Sequence, residues 1–372
     1  MSKKGNYYSM QKLLACDAHY NIMIGERSNG KSYAPLLYAW EKYLKTGEKL
    51  AIIRRWNTDF QGQLSARTCY NSLMCNGDGE NIIKKLSNNA YAGVEYYGGR
   101  YFLTVEENGR TVRSDAFIAY GFALNMLEHY KSGSFPDVST IFYDEFIPKD
   151  AYLTDEFIVF QNMISTIVRQ RDNVKIFMAG NTINKYGNPY FKEMGLYKVK
   201  DMQKDTIDVY TYGETPLRVA VEFTDTPSKT KPSDVYFAFK NPKLQMIKGT
   251  GGVWEIGIYP HCPCKIRPKD ITFLFFVKYE ENTLQCEIIE RPDEKMLFMF
   301  VHRKTTPVRD EDKALVYTPD YDPHPNVRRS ILRRTDDTEE KLNYFIRCDK
   351  VFYQDNEVGE IFNSYLDFCQ HR

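Results

Sequence analysis

The chain has 372 residues, more than one ordinary core of about 100–200 residues, so two domains are expected and a peptide hormone or disulfide-stapled module is excluded. Fifty Lys+Arg against 49 Asp+Glu leave a formal charge of +1, which denies the chain the global basic footprint of a coating nucleic-acid binder and makes any such contact local. Hydrophobic residues at 42% and charged ones at 27% are globular values. The longest apolar stretch, about Ile271–Val277, falls short of the roughly 18 residues that cross a bilayer, and MSKKGNYYSM lacks a secretory core.

In chain order, 20–25 (YNIMIG) reads as a short buried strand, 33–46 as a helix with Leu36, Leu37, Trp40 and Leu44 on one face, and 50–54 as another strand. A helix near 80–88 precedes an antiparallel meander over about 92–120, where Gly98-Gly99 and Asn108-Gly109 mark hairpins. A strand at Ser139–Tyr143, a helix at 155–168, a strand at 174–179 and a last strand at 206–212 follow. This alternation predicts an α/β domain over 1–223, a parallel sheet with helices on both faces. Residues 224–234 (TDTPSKTKPSD) have linker composition. Beyond them, strands around 253–259, 271–279, 283–290, 296–302 and 314–318 precede helices around 325–334, 338–348 and 356–369, an α+β domain over 235–372. The scattered cysteines show no paired metal spacing, and His261-Cys262-Pro263-Cys264 reads as a Pro-bounded turn. A soluble cytosolic protein with reduced thiols is expected.

Residues 25–32, GERSNGKS, fit G-x-x-x-x-G-K-[ST] between a strand and a helix, the setting in which the string is a phosphate cradle. Gly25 and Gly30 let the backbone N–H groups of Glu26, Arg27, Ser28 and Asn29 curl round phosphate oxygens; Lys31 reaches the β/γ oxygens and Ser32 ligates Mg²⁺. Pro35 removes a backbone donor early in the next helix. The strand Ile141-Phe142-Tyr143 ends in Asp144-Glu145, the Walker B pattern: Asp144 for the metal through water, Glu145 as general base. An acid directly after that aspartate points to the additional-strand P-loop NTPases, so ATP and Mg²⁺ are the expected cofactors. Asn181, ending VKIFMAG, is either a γ-phosphate sensor or a turn cap. Arg169 and Arg171 each read as a surface ion pair or as an arginine finger.

With these motifs, LAIIRRW at 50–56, PDVSTIFYDEFI at 136–147, VRQRD at 168–172, NPYF at 188–191 and FYQDNEVGEIFNSYLDF at 352–368, the chain resembles the DNA packaging ATPases of phi29-like small tailed phages, in family order over almost its whole length. The resemblance implies an N-terminal ATPase domain and a C-terminal RNase H-like domain. It also implies assembly as a homopentameric ring on the portal of an empty capsid, in the host cytoplasm, where ATP hydrolysis drives double-stranded DNA inward. Whether an accessory RNA takes part is open. By the same resemblance Arg169 is the finger reaching the neighbouring subunit's ATP, and Lys131 a second basic group acting in trans.

The loop after LAIIRR has Asn57 where family members can carry lysine, so Arg54, Arg55, Lys84 and Lys85 are the candidate DNA contacts, against their reading as solvated charges. The first long strand of the C-terminal domain, 271–279, lacks an interior acid, and Glu287 and Glu290 have no evident Asp partner; a vestigial nuclease used for docking is expected. The Arg328-Arg329…Arg333-Arg334 run, interleaved with acids, reads as a mixed-charge helix. A translocase is the leading reading, with a nuclease-active large terminase or a P-loop switch or assembly factor as alternatives.

Overall fold

A computed structural model describes residues 8–25, 30–62, 64–76, 79–148, 152–181, 186–224, 257–308, 312–333 and 335–370. The chain forms two compact units: Met1–Ile183 with Pro189–Lys240, and Asn184–Asn188 with Asn241–Arg372. The expected linker 224–234 and the start of the expected strand 253–259 lie outside the described residues apart from Thr224 and 257–259.

The first unit is built on a nine-stranded sheet of β1 (Tyr20–Gly25), β2 (Lys49–Arg54), β3 (Gly93–Tyr97), β4 (Arg100–Glu107), β5 (Arg110–Ala123), β6 (Val138–Asp144), β7 (Lys175–Asn181), β8 (Thr206–Thr211) and β9 (Arg218–Phe223). Their order is β3-β4-β5-β2-β6-β7-β1-β9-β8. From β5 to β9 all neighbours are parallel. Strands β1, β2 and β6 are buried over nearly their whole length, which is why they read as unbroken apolar runs rather than alternating ones. The meander is joined to this core rather than separate from it, because β5 continues to Ala123 and pairs parallel with β2.

The structure corrects two expectations for the first unit. Residues 206–212 are not the last strand of the parallel sheet: β8 is an antiparallel edge strand, and β9 passes inside it to pair with β1. The interior of β9 carries the buried Glu222, which accepts a hydrogen bond from the Tyr8 hydroxyl. The Tyr33–Thr46 helix buries Ala34, Pro35, Leu36, Ala39 and Trp40, whereas Leu44 is exposed. Pro35 falls in the first turn, where a missing N–H costs no helical bond, and Gly47 ends the helix in the left-handed region at φ 72°.

The second unit holds β10 (Ile271–Tyr279), β11 (Asn282–Arg291), β12 (Met296–Arg303), β13 (Val316–Tyr317), β14 (Val327–Arg328) and β15 (Val351–Tyr353), ordered β14-β13-β10-β11-β12-β15. Strands β10 to β12 are antiparallel; β13, β14 and β15 join in parallel. One face of the sheet, with Phe275, Val277, Leu284, Cys286, Met299 and Val301, packs with Val358, Ile361, Phe362 and Tyr365 of the Asn356–Gln370 helix in a single core. The helix expected over 325–334 is absent from its described residues. Val327–Arg328 is a strand instead, and Arg328 reaches across to Asp336 (2.7 Å) and Glu339 (3.1 Å) of the next helix. The mixed charges therefore join a strand to the Asp337–Arg347 helix, capped by Asp336. Among the described residues no helix is long and apolar enough to cross a membrane.

Candidate nucleotide site

Parallel register brings the candidate residues to one edge of the first sheet. Gly25 stands opposite Asn181 at the ends of β1 and β7, Asp144 opposite Ala179, and Arg54 opposite Ala123. The carboxyl ends of parallel strands, where loops leave the sheet, are where α/β proteins build their sites. Residues 26–29 of the cradle lie outside the described residues, but both flanks are in place. Gly25 and Gly30 have φ of 156° and 94°, and the buried Lys31 donates from Nζ to the Gly25 carbonyl at 3.1 Å. The lysine thus reaches back to the end of β1.

Ser32 and Asp144, 112 residues apart in sequence, meet: Ser32 Oγ donates to Asp144 Oδ1 at 2.8 Å. A hydroxyl and a carboxylate within one hydrogen bond are the two protein groups that a P-loop Mg²⁺ site needs, so the donor set fits the ion. Burial raises the Asp144 carboxyl above the ordinary aspartate range, opposed by the Arg54 charge and the Ser32 hydroxyl. Glu145, at φ 58°, turns away from the strand, its side chain 58% exposed. A left-handed glutamate here costs backbone energy and aims the carboxylate off the strand line. Asn181 is half-buried at the end of β7.

Arg54 and Arg55 are the residues that the sequence misassigned. Neither is a solvent-facing DNA contact: each is 5% exposed. Arg54 donates to Asp144 Oδ2 (2.8 Å), Glu145 Oε2 (2.7 Å), Asp59 Oδ2 (3.3 Å) and Ser65 Oγ (3.1 Å). Burial works against its charge, yet Asp144, Glu145 and Asp59 overcome that and hold it above an ordinary arginine. Arg55 forms a two-pronged pair with the buried Glu156 (2.6 and 2.8 Å) and donates to the Glu145 and Phe146 carbonyls (3.2 and 2.9 Å). Glu156 also accepts from the Tyr143 and Tyr190 hydroxyls and the Leu153 N–H, each at 2.8 Å. Two adjacent arginines at the end of β2 therefore fix the end of β6: Arg54 holds the side chains of Asp144 and Glu145, and Arg55 the backbone of Glu145 and Phe146. Lys84 and Lys85 are surface residues paired to Glu106 and Glu80, each at 2.9 Å.

Arg169 and Lys131 are at the other edge of the sheet, beside the amino end of β6. Arg169 donates to the carbonyls of Gly133 (2.6 Å) and Lys131 (3.4 Å), while Lys131 Nζ pairs with Glu128 on the surface. Since β6 alone spans about 20 Å at ~3.3 Å per residue, neither side chain lies near the Gly25–Ser32 end of the sheet. Arg171 is committed elsewhere: it donates to the carbonyls of Val168, Pro136, Val138, Phe135 and Ile167, tying the end of one helix to the start of β6.

A family model described as podovirus DNA encapsidation protein (Gp16) matches residues 1–313. The DNA packaging protein of Bacillus phage phi29 is 23% identical over 368 residues, covering 98% of this chain and 94% of its own length. That of Bacillus phage B103 is 26% identical over 223 residues, 59% of this chain and 60% of its own length. Among solved structures, the phi29 viral genome packaging motor assembly aligns at a TM-score of 0.52 and 20% identity, covering 97% of this chain and all (100%) of that one. The Phi-28 gp11 DNA packaging motor aligns at 0.50 and 18%, covering 98% of each. These alignments show a fold shared with those packaging-motor chains.

Proposed function

The chain belongs to the podovirus DNA encapsidation protein family, and on that premise we propose that it is the ATP-hydrolysing subunit of a motor that drives double-stranded DNA through a portal into a preformed capsid. The Ser32–Asp144 contact carries this reading, because it joins the cradle strand to the acid strand in the pairing that a triphosphate with Mg²⁺ requires. Gly25, Gly30 and Lys31 would hold the phosphates, and Ser32 and Asp144 would hold Mg²⁺, which would supply charge neutralisation for phosphoryl transfer. Glu145 takes a proton from the attacking water, and Asn181, in register with Gly25, senses the γ-phosphate. Arg169, with Lys131 beside it, serves the cradle of a neighbouring subunit, so the working form is a ring, a pentamer by family resemblance, formed at the portal vertex in the host cytoplasm.

For the second unit we propose an RNase H-like domain used for docking. Support comes from three antiparallel strands extended by two parallel ones beside the first. Glu287 is tied to Gln285 and His302 within its own sheet, an arrangement of structural character. The test is ATP turnover by the pure chain with and without double-stranded DNA, beside its native mass. Stimulation that falls steeply with salt is expected, because phosphate contacts release counterions. Slow turnover indifferent to DNA would return the chain to the switch alternative. Nicking of supercoiled plasmid lost in Glu287→Ala would return it to the terminase.

A further inference from the structure

The β3–β5 insertion presents a face that the nucleotide site does not use. Strand pairing sets Tyr97, Arg100 and Tyr120 side by side, Glu95, Phe102 and Phe117 in the next row, and Thr104 with Arg113 beyond. Alternation along β4 puts this face opposite the buried Tyr101 and Leu103. On it the Arg113 guanidinium lies 4.1 Å above the Tyr97 ring and 5.4 Å from Phe102, and Arg100 lies 4.9 Å from Phe117 and 5.8 Å from Tyr120. Lys49 sits over Phe117 at 3.5 Å, but Asp137 neutralises it at 2.7 Å. Arg100 and Arg113 are exposed, and among the described residues neither has an ion pair or a side-chain hydrogen bond. The exposed acids on these strands near them, Glu95 and Asp115, pair with neither.

A guanidinium laid on an aromatic ring has its plane fixed while its N–H edge stays open. That edge is the part that matches a phosphate with two parallel hydrogen bonds. The ring faces are already covered by cations, so they are closed to stacking by unpaired bases, and what remains is a reader of backbone charge without sequence preference. The uncompensated cations select an anionic partner, and their attachment to a rigid sheet rather than a loop fixes their spacing.

We propose that this face contacts the backbone of duplex DNA, with Arg100 and Arg113 each holding a phosphate. The proposal rests on the packaging reading, in which duplex DNA is the substrate. It is tested by fluorescence anisotropy of a labelled short DNA duplex across a salt series, without nucleotide, with wild-type chain, Arg100→Gln/Arg113→Gln and Arg100→Lys/Arg113→Lys. The glutamine pair should lower the slope of log K against log salt by about 2, at ~0.9 per phosphate, and weaken binding about 10-fold or more near ~100 mM salt. The lysine pair, which keeps the charge, should retain most of the slope. Basal ATP turnover without DNA should be unchanged in both. Lys84→Gln/Lys85→Gln, which removes cations already paired, should leave the slope in place.

An unchanged slope in the glutamine pair overturns the proposal. So does a fall in native mass with DNA affinity intact, which would make the face an interface between protein chains. A loss confined to a double-stranded RNA probe overturns it equally. If the wild-type chain itself neither binds duplex DNA nor turns over ATP faster with it, the packaging reading fails. If it does both and the glutamine pair binds as well, this face alone fails.

Discussion

The two ends of the first sheet treat their arginines in opposite ways. At the carboxyl end, Arg54 and Arg55 are buried, and carboxylates of the same chain satisfy them. At the amino end, Arg169 is exposed and, among the described residues, its side chain meets only the carbonyl oxygens of Gly133 and Lys131. A buried charge without a partner is expensive, so arginines inside the site must be paired and belong to the subunit that pairs them. An exposed guanidinium held by two carbonyls is released at little cost to a stronger acceptor, such as a phosphate. Burial at the carboxyl end thus marks the arginines that organise the chain's own acids; at the amino end Arg171 is likewise tied to its own chain by five carbonyls, and the exposed Arg169 is the more loosely held of the two.

The largest effect that would break this comparison is on turnover. Arg169→Ala should lower DNA-stimulated ATP hydrolysis roughly 10³–10⁵-fold with ATP binding retained, as for fingers supplied by a second molecule. Mixing it with Lys31→Ala should restore activity, since a ring containing both holds some intact cradles beside intact fingers. A deficit of only a few-fold, or mixtures inert at every ratio, would make Arg169 an ordinary surface residue. Its backbone, at φ 43° and ψ 138°, is in a region that non-glycine residues avoid, the kind of local strain that marks switching sites.

Next comes the buried layer beneath the acids. Glu156→Ala would leave Arg55 buried without its carboxylate and strip acceptors from Tyr143 and Tyr190, at a cost of about 3–5 kcal/mol. Thermal unfolding should report this as a fall of roughly 10 °C in the first unit. A shift under about 2 °C would mean that Arg55 finds water instead, and that the carboxyl end is less closed than the hydrogen bonds imply.

How much of this the sequence disclosed depended on whether partners were near in the chain. The flanks of GERSNGKS, Gly25 and Gly30–Ser32, and the Asp144-Glu145 strand end were legible: they fall where a local string predicts them, at the ends of β1 and β6. Arg54 and Arg55 were not: Asp144 and Glu156, the carboxylates that hold them in the interior, are 90 and 101 residues away, and a basic pair after an apolar strand looks like a loop entering solvent. One usable sign was available, namely that LAIIRR and IFYDE both end apolar runs of the kind that lie side by side in a parallel sheet. The strand β9 escaped for a related reason, since Glu222 interrupts an apolar run with a charge whose hydrogen-bond donor, the Tyr8 hydroxyl, is 214 residues away. Choosing between Arg169 and Arg171 was likewise beyond the sequence, because the five carbonyls that occupy Arg171 become neighbours only in the fold.

That choice gives a smaller, sharper test. Arg171→Ala should destabilise the first unit by about 2–3 kcal/mol, the loss of several charge-assisted bonds to buried carbonyls, while turnover per folded molecule stays near wild type. The opposite pattern, stable protein and lost turnover, would transfer the finger to Arg171 and break the distinction between exposed and committed arginines.

The smallest effect asks whether pairing within the chain means structure in the second unit too. Burial pushes the Glu287 carboxyl up, but hydrogen bonds from His302 and Gln285 outweigh it and hold it below the ordinary value of 4.5. A carboxylate whose folded pKa is depressed contributes stability that is complete above its unfolded pKa and is lost as pH falls through the folded one. Stability from this group should therefore be constant near neutrality and decline from about pH 4.5 downward. Glu287→Gln, which cannot ionise, should remove that acid-side slope and cost about 1 kcal/mol at pH 7, read from urea midpoints of the two proteins between pH 3 and pH 7. Equal acid slopes would show that Glu287 is not held by its neighbours when folded, leaving that carboxylate free for a ligand and reopening a chemical role for the second sheet.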